Sequence, residues 1–182
     1  MIDEIICHID ETLIDISFID KCYGRAELVT NDEESSRKYP AIYSSSGQLK
    51  RIDFEPGICY HRISAPILTA YPDADDNGLT IPVIITYPLL LVACINRKQT
   101  DIEAVQKLMY ELTQIDFFPL KSKIKFQVIK ARLINSNIDR YLIWNTETDG
   151  AGLSIDFDKS LIAITYQIDL HTYTKCLNNC DE

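Results

Sequence analysis

Three groups of residues have the type and spacing to do chemistry. Asp73-x-Asp75-x-Asn77-Gly78 matches the first half of an EF-hand calcium loop, with alternating oxygen donors and the glycine that makes the bend. The twelfth position of such a loop carries a bidentate glutamate, and here it is Ile84. Asp, Asn and Gly are also ordinary turn residues, so a solvated acidic turn is expected. Cys59 and His61 stand two apart, which puts both side chains on one face of a strand and makes a Cys/His nucleophile pair geometrically possible. No glycine-rich oxyanion turn and no orienting acid is evident around them, so a structural role is expected. Cys176 and Cys180 lie four apart, with His171 upstream. Zinc favours four ligands in tight pairs such as Cys-x2-Cys, so neither zinc nor a tail disulfide is expected there.

The remaining reactive residues are scattered. His8 follows Cys7 near the N-terminus, far from His61 and His171. Cys7 and Cys94 lie in apolar segments and read as small buried hydrophobes, while Cys22 and Cys59 read as isolated. The chain has no Gly-x-Gly-x-x-Gly or Gly-x-x-x-x-Gly-Lys-Ser/Thr loop, which argues against the common nucleotide folds. Its carboxylates are spread out, so no glycosidase-type pair stands out. The sequence therefore assigns no catalytic residue, no metal ligand and no cofactor site, and the chain is expected not to be an enzyme.

Bulk properties narrow the partners. The 182 residues are 46% hydrophobic, enough to bury a core in a single domain. Eighteen basic against 27 acidic residues give a net charge of −9. Such a surface repels phosphate, so sequence-specific nucleic-acid binding is not expected. Lys121, Lys123, Lys125, Lys130 and Arg132 read mainly as the wet face of a strand. The acidic start Met1-Ile2-Asp3-Glu4 is unlike a secretory signal. No apolar run reaches the roughly 18 residues of a membrane span. A soluble cytoplasmic chain with no membrane partner is expected.

Periodicity then supplies the elements that must position these residues. Ile2, Ile5, Ile6, Ile9 and Leu13 form one helical face. Tyr23 to Thr30 is a plausible strand. Pro40 to Tyr43 and Gln48 to Phe54 flank the turn residues Ser44 to Gly47 and predict a hairpin. Ile58 to Ile63 predicts another strand. Val83 to Tyr87, bracketed by Pro82 and Pro88, suits an edge or irregular strand. Leu89 to Ile95 is apolar on both parities and predicts a strand at the centre of a sheet.

Thr100 and Glu103 fit a capping box ahead of a helix with Ile102, Val105, Leu108, Met109 and Leu112 as its stripe. Ile124 to Leu133 alternates and then flips parity, which predicts a β-bulge near Val128-Ile129. Asn135 to Asn137 reads as a turn, Tyr141 to Trp144 as a short strand and Thr146 to Gly152 as a loop. Leu161 to Tyr173 alternates, with Ile162, Ile164, Tyr166, Ile168 and Leu170 on the dry parity and Thr165, Gln167, Asp169 and His171 on the wet one. The predicted fold is α+β: a mixed, largely antiparallel sheet packed against two helices, with a β-rich insertion near residues 23–82.

This order of elements, above all from Val83 to Tyr173, resembles the tail-terminator and tail-completion proteins of bacteriophages, and more loosely other head–tail neck-ring proteins. The resemblance implies a non-enzymatic virion protein that forms a homo-oligomeric ring, contacts other neck or tail proteins and is assembled in the host cytoplasm. It implies no catalytic or cofactor residue. The alternative reading is a small soluble binding module, such as a weak metal or ligand binder.

Overall fold

A stripe of isoleucines makes the first element. In the computed structural model, which describes residues 2–30, 38–44, 46–52, 54–70, 82–96, 98, 100–117, 125–133 and 159–173, helix α1 spans Ile2–Leu13 and buries Ile5, Ile6, Ile9 and Leu13. Asp3 and Glu4 occupy its first turn, where the helix dipole favours negative charge. The strands are β1 (Lys21–Arg25), β2 (Glu27–Thr30), β3 (Lys38–Tyr43), β4 (Leu49–Arg51), β5 (Ile58–Ile63), β6 (Ile67–Ala70), β7 (Pro82–Asn96), β8 (Asp116–Phe117), β9 (Lys125–Leu133) and β10 (Lys159–Tyr173), with helix α2 (Ile102–Gln114) between β7 and β8.

Among the described residues, seven strands form one sheet in the order β1-β5-β7-β10-β9-β8, with β6 also pairing β7. Its pairs are antiparallel except β1 with β5. The strands β2, β3 and β4 form a second, three-stranded antiparallel sheet. The fold is thus α+β with a largely antiparallel sheet. Within residues 23–82, β2 to β4 make their own layer, whereas β5 and β6 belong to the large sheet.

Strand parity sorts the core into two clusters. Leu89, Leu91 and Ala93 of β7, with Ile164, Tyr166, Ile168 and Leu170 of β10, share one cluster with the buried residues of α1 and with Leu108 and Leu112 of α2. The opposite parity, Val92 and Cys94 with Leu161, joins Ala26, Ile52, Ile58 and Tyr60 in the second. Leu89 to Ile95 is central as predicted, because both of its faces are covered. The alternation of β10 also holds: Ile164, Tyr166, Ile168 and Leu170 are buried, while Thr165 and Gln167 are exposed.

Several expectations need correction. Val83 to Tyr87 is no edge, since it continues into β7 and pairs β10 on one side and β6 on the other. Pro82 and Pro88 did not break the strand, and the Pro88 carbonyl still accepts from the Ser64 N–H. Tyr23 to Thr30 is two strands in two sheets, parted at Ala26. The cap of α2 is Asp101, whose side chain accepts from the Ala104 N–H at 2.7 Å. Thr100 is displaced from that role, and its buried hydroxyl has no hydrogen-bond partner.

The predicted bulge is present: Gln167 pairs Lys130 and Ile168 pairs Val128, leaving Ile129 as the extra residue. The Ser44–Gly47 hairpin joins β3 to β4. The readings for Asn135–Asn137, Tyr141–Trp144 and Thr146–Gly152 lie outside the described residues. No described helix is long and apolar enough to cross a membrane.

Candidate functional site

The polar residues that converge in the core come from four elements. Asp10 flanks the apolar stripe of α1, four residues after Ile6 and three before Leu13, and so faces the sheet edge. Cys22 of β1 and Cys59 of β5 are register partners in the parallel ladder. His61 follows Cys59 on the same strand face, as its spacing predicts. Tyr166 lies on β10 and reaches across β7.

His61 is fully buried and both of its ring nitrogens are engaged. Nε2 lies 2.7 Å from Asp10 Oδ1, and Nδ1 lies 2.6 Å from the Tyr166 hydroxyl. Burial, with smaller contributions from the charges of Asp10 and Cys59, pushes the Tyr166 phenol well above its ordinary value. The hydroxyl therefore keeps its proton and donates to Nδ1, while the Nε2 N–H donates to Asp10. This assignment follows from the network as a whole. Both His61 nitrogens and the Tyr166 hydroxyl thus find partners, as buried polar groups require.

Beside this chain sit two thiols. Cys59 Sγ donates to Cys22 Sγ at 3.1 Å, and Cys22 Sγ donates to the Asp10 carbonyl at 3.7 Å. The bond to Cys22, then burial, then the charges of Cys22 and Asp10 push the Cys59 thiol far above its ordinary value. A thiol held protonated is a poor nucleophile. His61 has no free nitrogen with which to activate it. The Cys59/His61 pair is thus brought together, but as parts of a hydrogen-bonded core rather than as an assembled nucleophile and base.

Two statements from the sequence are corrected here. Cys22 and Cys59 are not isolated, and an acid does orient His61. Both partners are remote in sequence: Asp10 is 51 positions from His61, and Cys22 is 37 from Cys59. The available signal was Asp10 itself, a carboxylate bordering an apolar stripe. Cys94 is buried as expected, but Cys7 is exposed on α1, so it does not pack as a core residue. His8 is clear of the cluster and lies 3.6 Å from Glu11.

The Asp73–Gly78 loop, Lys121, Lys123, Cys176 and Cys180 lie outside the described residues. His171, Lys125, Lys130 and Arg132 are placed only by register, with Lys125 opposite His171, Lys130 opposite Gln167 and Arg132 opposite Thr165. On the wet parity of β10, Asp169 accepts from Thr86 Oγ1 at 2.5 Å. No protein-family model, curated protein or solved structure matches the chain.

Proposed function

We propose that the chain is a non-enzymatic, ring-forming structural subunit of a bacteriophage neck or tail, of the head–tail joining or tail-completion kind. The observation that carries this reading is the outer edge of β6, which has no strand partner among the described residues. Among the described residues β6 pairs β7 alone, and its successive residues Ile67 and Leu68 are 57% and 61% exposed. Successive strand residues point to opposite faces, so the edge is apolar on both sides. An unpaired, uncharged edge is a template for a strand or loop from another chain. The partner in this reading is a second copy.

A ring needs two different surfaces on each subunit, joined head to tail until the rotation closes. The second is the wet parity of β10. Thr165 and Gln167, with Ser64 and Pro88, line an open depression of about 410 Å³. The order of elements from β7 through α2 and β9 to β10 is the one on which the resemblance rests. A net charge of −9 suits a lumen through which DNA slides without sticking. Contacts to other neck or tail proteins then fall to the loops, and no sequence-specific nucleic-acid contact is needed.

Electron microscopy of the purified protein tests this reading. Closed rings are expected, and a Leu68→Lys variant that remains folded should not form them. Dispersed single subunits for the unaltered chain, or unchanged rings for Leu68→Lys, would count against it.

A further inference from the structure

We propose that Asp10, Cys22 and Cys59 form a binding site for a thiophilic divalent cation, zinc foremost. Each residue comes from a different element, α1, β1 and β5, and the three ligand atoms lie within 4.8 Å of one another. The donor set is two sulfurs and one carboxylate oxygen, which suits zinc better than the all-oxygen preference of calcium or magnesium. This site is distinct from the assembly surfaces and does not depend on them.

The geometry needs little adjustment. Zinc–sulfur bonds of about 2.3 Å in a tetrahedral site place two sulfurs about 3.8 Å apart. The sulfurs now stand 3.1 Å apart on paired strands, so small side-chain rotations suffice. The carboxylate is already oriented, because His61 Nε2 holds Asp10 Oδ1 and Tyr166 holds His61 Nδ1. Partners of this kind fix a ligand's direction and raise metal affinity.

Binding releases two protons. The two thiols become thiolates bound to the cation, and their protons pass to solvent. Two thiolates and the carboxylate supply three negative charges against the cation's two positive ones. Water completes the fourth position. Cys59 is fully buried whereas Cys22 is only half-buried, so the cation enters past Cys22. The bound ion fastens α1 to the β1–β5 end of the sheet.

The test uses the full chain purified under reducing conditions, loaded with zinc and then dialysed. Elemental analysis should find one zinc per chain. Replacing zinc with cobalt(II) should give sulfur-to-cobalt charge-transfer absorption. Zinc should also protect the half-buried Cys22 of the unaltered protein from alkylation, as mapped by mass spectrometry. This readout needs no variant to fold. Cys22→Ser should lose the metal and the absorption, whereas Cys176→Ser/Cys180→Ser should keep both. No retained zinc, zinc lost only in the Cys176→Ser/Cys180→Ser variant, or alkylation of Cys22 unaffected by zinc would overturn the site.

Discussion

Asp10 of α1 and His61 of β5 meet at 2.7 Å, 51 positions apart in the chain. The pair joins the first helix to the sheet through a bond made in the dry interior. His61 is wholly buried, and the Asp10 side chain is 13% exposed. Removing one partner leaves the other buried and unpaired, which costs more than the bond itself contributes. His61→Ala and Asp10→Ala should each lower unfolding stability by about 3 kcal/mol, as measured by chemical denaturation. The double variant should lose clearly less than the sum of the two. Additive losses would mean that the two residues act independently.

The cap of α2 gives a second prediction. Asp101→Ala removes the acceptor for the Ala104 N–H and should cost about 1 kcal/mol. Thr100→Val replaces an unsatisfied buried hydroxyl with a methyl group of similar shape and should be neutral or stabilising. Thermal melts of the two variants should move in opposite directions or differ clearly. A larger loss from Thr100→Val would restore Thr100 as the cap.

Gly57 gives a third. Its φ is +93°, and a Cβ there would overlap the Asp20 carboxylate. Its carbonyl accepts from the N–H groups of Asp20 and Lys21, and its own N–H donates to the Cys94 carbonyl. The residue thus anchors the entry to β1 against β7. Gly57→Ala should cost about 2 kcal/mol or more, from the clash together with the left-handed backbone. In an Asp20→Ala background the cost should shrink to about 1–2 kcal/mol, because the carboxylate overlap is gone while the left-handed backbone and the close approach to the residue 20 Cβ remain. A cost unchanged by Asp20→Ala would show that the clash is relieved in some other way.

Alkaline pH gives a fourth. Cys59 and Tyr166 are both held above their ordinary values of 9.0 and 10.0. In metal-free protein the folded state keeps these protons while the unfolded chain releases them. Their contribution is fully present below pH 9.0 and declines as pH rises past it, then more steeply past 10.0. Each group adds a slope of about 1.4 kcal/mol per pH unit. Cys59→Ala should remove the earlier onset and Tyr166→Phe the later one, as read from denaturation at a series of pH values. A flat profile between pH 8 and 11 would contradict the assignment of both protons.

Local pattern carried much of the fold. The stripe Ile5, Ile6, Ile9 and Leu13 gives α1, Ser44 to Gly47 gives the hairpin, and the parity flip at Val128-Ile129 gives the bulge. Each depends on neighbours within a few residues. β6 was not visible, because Ile67 to Ala70 is only four residues long and is defined by its pairing with β7. Pro82 and Pro88 suggested a break that tertiary pairing overrides. The site was half legible. Cys59 and His61 share a face by spacing alone, but Asp10, Cys22 and Tyr166 reach them only through the packing of α1, β1 and β10. No spacing rule spans those separations.

We propose that copies of this chain join through β6 into a closed ring. Light scattering of the purified protein across a concentration series tests it most directly. The prediction is a discrete species whose mass is a fixed multiple of 20.8 kDa, populated increasingly as concentration rises and lost in Leu68→Lys. A mass of 20.8 kDa at every concentration would contradict the claim.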